Sequence, residues 1–383
     1  MNLYFDNAAT SFPKPEQVYD SMLNYMTQVG GNPGRGAYSS SLDANRIVYS
    51  AREAVSQFFN FDKPENVIFT LNITHSLNIL LKGLIKPGWH VLTSSMEHNS
   101  VLRPLHTLKQ TVSYDLDIIQ ADASGSINIE AFKKSIKFNT KLVVLSHVSN
   151  VTGTIQSLEE IGKICKDRDI YFIIDAAQSA GVLEVDYKKL NCNALCFTGH
   201  KSLLGPQGIG GFLIDDSLNE ITSTFYEGGS GSTSASLLQP TFLPDKFEAG
   251  TLNTPAIAGL LSGITYINSI GLSSIFEKEH LLAKYFTEKI NNFNFITSYG
   301  NNNSNNKTAV FSINISNFDS SNLSFLLNRD FSIMTRSGLH CAPLAHKTIG
   351  SFPSGTTRIS FSSFNEISDI DILLDSIYKI SKY

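Results

Sequence analysis

Between about Asn66 and Ile214, short apolar runs alternate with amphipathic stretches of helical period, and this alternation constrains the fold more than any other feature of the chain. Runs with no polar partner on alternate positions are strands buried on both faces, and parallel strands buried in this way need helices as crossovers. The pattern predicts strands at Val67 to Leu71, His90 to Ser94, Leu142 to Ser146, Ile170 to Asp175, Ala194 to Thr198 and Gly211 to Ile214. Helices are predicted between them at Thr74 to Leu84, Val101 to Gln110, Ile129 to Ile136 and Leu158 to Arg168. The fold class is therefore α/β, with a mixed, mainly parallel sheet. Polar residues cluster just after several strands, where open α/β sheets bind their ligands.

With 383 residues the chain is longer than one ordinary core, so one large and one smaller domain are expected. After Glu227 the Gly- and Ser-rich stretch Gly228 to Ser234 reads as a surface loop. Helical periodicity returns from Pro255 and near Lys278 to Asn291. A polar turn at Gly300 to Asn306 then precedes a strand at Ala309 to Ile315, a strand at Thr357 to Phe361 and a helix at Ile367 to Ile380. These elements suit a small α+β domain packed on the first.

A net charge of −4 without charged blocks gives no footprint for nucleic acid or an anionic membrane, and small-molecule chemistry is the expected business of the chain. The amino terminus lacks a basic region followed by an apolar run, and no stretch reaches the roughly 20 apolar residues of a membrane span. A cytoplasmic location is expected. Four cysteines in so long a chain do not suggest a disulfide framework. Cys165 and Cys196 fall in core patterns, and Cys192 with Cys196 lacks a second pair at zinc-ribbon spacing, so no metal site is expected.

The chemistry-bearing residues constrain one another. Pyridoxal phosphate needs a lysine for its carbonyl, an acid beside the pyridine nitrogen, a phosphate cradle and a group on the ring face. Lys201, after the strand ending at Thr198, is a candidate for the first. Asp175 ends an apolar run, where a carboxylate is poorly solvated unless a cation meets it, and Gln178, three residues on, could hydrogen-bond the ring oxygen. An aspartate there could equally cap a helix. The strand-to-helix passage Phe69 to Ser76, with Ile73 and Thr74 at the helix start, suits an anion, or simply caps that helix. The glycines of Gly205 to Gly211 do not support a nicotinamide site, because they lead into a strand. His98 follows another strand and could stack on the ring and relay a proton. Cys341, in Arg336-Ser337-Gly338-Leu339-His340-Cys341-Ala342, is a candidate nucleophile.

The peptides Asp6 to Thr10, Glu97 to Asn99, Ser149 to Gly153, Asp175 to Gln178, Thr198 to Lys201, Glu248 to Thr251 and Arg336 to Ala342 resemble, in order and across nearly the whole chain, the cysteine desulfurases of the class V aminotransferase-like family. The Arg336 to Ala342 peptide is similar to that of the SUF-type, selenocysteine-lyase-like branch. The resemblance implies the fold-type I architecture of pyridoxal phosphate enzymes, with a large domain over residues 15–255 and a small domain formed by residues 1–14 and 256–383. It also implies a homodimer with shared sites. Its implied roles are Lys201 as the cofactor lysine, Asp175 and Gln178 as ring partners, and His98 as the stacking group. Thr74, Thr198 and His200, with Ile73, would hold phosphate, joined by Thr251 from the other subunit. Ala9, Arg35, Asn150 and Arg358 would meet the substrate, and Cys341 would take its sulfur. The implied reaction converts L-cysteine to alanine and passes sulfur to an acceptor protein or thiol. Selenocysteine lyase, another class V enzyme, and a non-catalytic sulfur carrier or scaffold are the alternatives. Two departures stand out. Asn72-Ile73-Thr74-His75 replaces a Gly-Thr-Thr-Glu-like phosphate loop, and Leu339 replaces a histidine found in some relatives.

Overall fold

The computed structural model describes residues 2–34, 36–301, 303 and 306–383. In chain order, strand β1 (Leu3–Tyr4) is followed by helices α1 (Glu16–Asn24) and α2 (Ser39–Phe58). An alternating stretch then runs β2 (Val67–Thr70), α3 (Ile73–Leu84), β3 (His90–Ser94), α4 (Asn99–Leu108), β4 (Asp115–Ile119), α5 (Ile129–Ser135), β5 (Thr140–Ser146), α6 (Leu158–Asp167), β6 (Tyr171–Asp175), β7 (Ala194–Thr198) and β8 (Gly210–Ile214). Helices α7 (Asp216–Ile221), α8 (Thr254–Ile270) and α9 (Leu272–Ile290) come next. The chain closes with β9 (Ile296–Tyr299), β10 (Val310–Ile315), α10 (Ser320–Phe331), β11 (Ile333–Met334), β12 (Arg336–Gly338), α11 (Pro343–Thr348), β13 (Thr356–Ser360) and α12 (Ile367–Ile380).

Seven strands form the large sheet in the order β2-β8-β7-β6-β5-β3-β4. The pairs from β7 through β4 are parallel, and β8 alone runs against its neighbours β7 and β2. This is the expected mixed, mainly parallel sheet. Its inner strands are buried at every position except Tyr171 and Lys141, which is why they read as continuous apolar runs. β4 was not predicted. It is an edge strand whose Asp115 is exposed and whose Leu116 to Ile118 are half-buried, so its sequence carries no core signature.

One core packs α2, α6 and α8 on one face of the sheet, and a second packs α3, α4 and α7 on the other. Ala256, Ile257, Leu260, Ile264 and Ile267 of α8 belong to the first core, alongside Leu195 and Phe197 of β7. The core of the large unit thus runs past the boundary expected at residue 255. Pro255 opens a helix at its first turn, a position that suits proline, rather than marking a break between cores.

The smaller unit has the antiparallel sheet β12-β13-β10-β9, and its core joins Leu3 and Phe5 to residues of α9, α10 and α12. β1 pairs in parallel with β11, and Asp6 forms a bridge with Ser360. The amino terminus is thereby fixed at the edge where the two units meet. Among the described residues, no single helix is long and apolar enough to cross a membrane.

Candidate active site

Five strands of the large sheet deliver their carboxyl ends to one cavity of about 270 Å³. β2 leads into Ile73 and Thr74, β3 into His98, β5 into Asn150, β6 ends at Asp175 ahead of Gln178, and β7 ends at Thr198 ahead of His200 and Lys201. The smaller unit and the amino-terminal segment close the cavity with Ala9, Arg336, Cys341 and Arg358. Thr251 does not line it. It lies instead in a separate cavity of about 320 Å³ with Phe225 and Tyr226. Arg35 lies outside the described residues.

Asp175 is buried, and its Oδ1 accepts the Ala177 N–H at 2.9 Å. Burial pushes its carboxyl above the usual range, against the opposing pull of that N–H and of the Lys201 charge. Burial lowers Lys201 to about 8, with Asp175 pulling it up and Arg358 and Arg336 pushing it down. The amine therefore loses its proton far more readily than an ordinary lysine.

The turn that carries Lys201 is tied to the amino-terminal segment. Ser11 Oγ donates to the Lys201 carbonyl at 2.8 Å, and both Ser11 N–H and Thr10 Oγ1 donate to the His200 carbonyl at 3.0 Å. A Cβ on Gly181, which has a φ of +94°, would collide with the Ser202 backbone, so a glycine lets this turn approach the sheet.

His98 caps α4. Its Nδ1 accepts the Ser100 N–H at 3.0 Å, so Nε2 carries the ring proton. Burial, then Lys201 and Arg336, lowers it to about 4, leaving a neutral imidazole at neutral pH. Gln178 Nε2 donates to the Ala8 carbonyl at 2.9 Å. Thr198 Oγ1 and His200 Nδ1 are buried without a partner among the described residues. Two orphaned polar atoms on one wall mark a place for a polar ligand.

Cys341 is the one exposed cysteine of the four. Burial raises Cys165 to about 12 and holds Cys192 and Cys196 well above the usual thiol range. His340 and Cys341 both have positive φ, +48° and +57°, at a cost of about 1–3 kcal/mol each. The turn persists because both sides of the cavity grip it. Asn150 Nδ2 donates to the His340 carbonyl at 2.8 Å, and the Asn99 N–H donates to the Cys341 carbonyl at 2.7 Å.

His340 adds a third tie. Ser312 Oγ donates to the Val151 carbonyl and Thr356 Oγ1 to Ser312 Oγ, so Thr356 Oγ1 is left to accept from His340 Nε2 at 3.1 Å. Arg336, Ser146 and His340 also line the cavity and were not singled out from sequence. Arg336 and His340 fell inside a quoted peptide, and Ser146 ends a predicted strand, which was the available signal.

The Asn72 to His75 departure has a structural counterpart. Asn72 caps α3 by accepting the His75 N–H at 3.0 Å, and the His75 ring packs on Tyr226, 5.4 Å between centroids, in the Thr251 cavity. Glu248, in the peptide that leads to Thr251, is paired with Arg52 in the interior and accepts the Phe69 N–H at 2.6 Å. It anchors that peptide to β2.

The fold and this cavity define a class: the chain belongs to the aminotransferase class-V family, whose model matches residues 3–373. Within that class it is similar to the probable cysteine desulfurase of Pyrococcus abyssi, 35% identical over 99% of this chain and 94% of the relative. It is 33% identical to the probable cysteine desulfurase of Methanothermobacter thermautotrophicus, over 99% of this chain and 95% of that one. Among solved structures, the apo cysteine desulfurase from Thermococcus onnurineus matches with a TM-score of 0.95 at 36% identity, covering 100% of this chain and 95% of the other.

Proposed function

We propose that the chain is a pyridoxal phosphate-dependent cysteine desulfurase that converts L-cysteine to L-alanine and carries the sulfur as a persulfide on Cys341. The observation that carries this reading is the convergence of a lysine amine, a buried carboxylate and one exposed thiol on a single cavity.

The residues fit the cofactor. Asp175 is a buried carboxylate suited to a pyridinium proton, and Thr198 Oγ1 and His200 Nδ1, without partners among the described residues, are suited to phosphate. Ile73 and Thr74 open the first turn of α3, whose N–H groups favour an anion. Gln178 would meet the ring oxygen, His98 the ring face and Lys201 the carbonyl carbon. When bound, pyridoxal phosphate supplies an electrophilic carbonyl and a ring that accepts the electron pair of the substrate Cα–H bond.

The protein's own groups do the rest. Arg358 and Asn150 hold the substrate carboxylate, fixing the amino acid's orientation. The Lys201 amine takes the Cα proton, a task its lowered pKa favours. Cys341 attacks as thiolate on the substrate sulfur: an S–S bond forms, the Cβ–S bond breaks, and its electron pair stays with Cβ. Protonation of Cβ and return of a proton to Cα by Lys201 then complete alanine. A thiol or acceptor protein subsequently removes the sulfur. The purified protein, supplied with pyridoxal phosphate, L-cysteine and a thiol reductant, should release alanine and sulfide in equal amounts. No alanine under those conditions would refute the reading.

We further propose a homodimer in which Thr251 serves the partner's cofactor phosphate. Its separation from the Lys201 cavity of its own chain supports this, as do the exposed Leu237, Leu238 and Phe242 on the neighbouring loop. A mixed dimer of one Thr251→Ala and one Lys201→Ala subunit then contains one wholly intact site. At limiting cofactor it should keep about half the wild-type activity, as one intact site of two requires. Activity no higher than that of the Thr251→Ala homodimer would mean that Thr251 acts within its own subunit.

A further inference from the structure

Arg358 is 1% exposed and already faces an anion: its Nη2 donates to Asp6 Oδ1 at 2.7 Å, and its Nη1 donates to the Asn150 carbonyl at 3.2 Å. Its Nε is buried with no partner among the described residues. We propose that Asp6 is a positioning residue that partly neutralises Arg358 and so weakens its hold on the α-carboxylates of substrate and product. This rests on the reading of Arg358 as the carboxylate anchor.

The placement of Asp6 supports it. Arg358 lines the cavity and Asp6 does not, so Asp6 acts through the arginine rather than on the ligand. Asp6 is also kept from swinging away. Its backbone bridges Ser360, two residues beyond Arg358 on β13. Asn7 Nδ2 donates to the Ser360 carbonyl at 3.1 Å, and the Ala8 N–H donates to Ser360 Oγ at 2.9 Å. The Asp6 charge therefore stays beside Arg358 when a carboxylate arrives.

An incoming carboxylate satisfies the orphaned Nε–H, which favours binding, and meets the negative charge of Asp6 behind the same guanidinium, which opposes it. Arg336, a second cation on the cavity wall, would otherwise add to the attraction and hold the product. An enzyme that must release alanine in every cycle gains turnover from a looser grip once substrate is plentiful.

The test is calorimetric titration of L-alanine into the cofactor-loaded wild type, Asp6→Asn and Arg358→Lys. Asp6→Asn keeps an oxygen for the Nη2 hydrogen bond and removes only the charge. It should bind L-alanine about tenfold tighter, the effect expected of one like charge removed at this range, and its KM for cysteine should fall without a rise in kcat. Asp6→Ser, which also removes the charge, should tighten alanine binding if the asparagine variant folds poorly. Equal or weaker alanine binding by the neutral variants, with binding lost in Arg358→Lys, would overturn the inference and leave the anchor intact. Unchanged binding by Arg358→Lys would overturn the anchor reading, and the inference with it.

Discussion

Lys201→Ala is expected to abolish alanine formation from cysteine, with a fall of roughly 10⁴-fold, the upper end of what a positioned acid–base group contributes. Among the described residues, Lys201 is the one lysine that lines the cavity, and the charges of Asp175 and of the two arginines act on its amine. Burial lowers its pKa to about 8, so near neutral pH a larger share of the amine is free to take a proton than at an ordinary lysine. The turn is held through the carbonyls of His200 and Lys201, which alanine retains. The fold should therefore survive, and an unchanged circular dichroism spectrum would show that the loss is chemical. Borohydride reduction of the wild-type holoenzyme should also attach the cofactor to the Lys201 peptide and fail to do so in the variant. Near wild-type turnover in Lys201→Ala would remove the cofactor assignment.

Cys341→Ser is expected to bind cofactor and cysteine normally and to form alanine at below about 1% of the wild-type rate, because a hydroxyl is a far weaker nucleophile toward sulfur than a thiolate. Serine differs by one atom and leaves the Asn99 and Asn150 ties to the turn in place, since both end on backbone carbonyls. No other thiol can replace Cys341: Cys165, Cys192 and Cys196 are buried, and burial holds each in the protonated form. Selenocysteine provides an internal comparison. Its carbon–selenium bond is weaker, so selenide release that outlasts sulfide release in Cys341→Ser would mark a lyase able to use both. Alanine from cysteine at the normal rate in this variant would contradict the assignment.

Strands β5, β6 and β7 were legible in the sequence because both their faces are covered, and burial on both faces leaves an uninterrupted apolar run. Polar residues at or just past the carboxyl ends of β3, β6 and β7 line the cavity, so His98, Asp175 and Lys201 could be singled out as residues. β4 was lost because an edge strand keeps charge on its surface. The two-residue strands β1 and β11 were lost because pairing across some 330 positions leaves no local trace.

The same reason hides much of the site's support. Asp6 and Arg358 form an ion pair only because β13 returns beside the amino terminus. Arg358 by itself reads as a cation within a strand, and only the family resemblance assigned it to substrate. Thr251 was expected at a shared site, and a single chain leaves it in a different cavity from Lys201. The left-handed pair at His340 and Cys341 is equally invisible in sequence, because neither residue is glycine. Hydrogen bonds from α4 and from the loop after β5 hold that pair.

The central claim, covalent transfer of substrate sulfur to Cys341, is tested most directly by mass spectrometry of the holoenzyme after a single turnover with L-cysteine in the absence of reductant. The account predicts an added mass of about 32 Da, one sulfur atom, on the peptide containing Cys341 and on no other, removed by a thiol reductant with release of sulfide. The added sulfur on a peptide carrying Cys165, Cys192 or Cys196, or alanine formed with no sulfur on the protein, would contradict it.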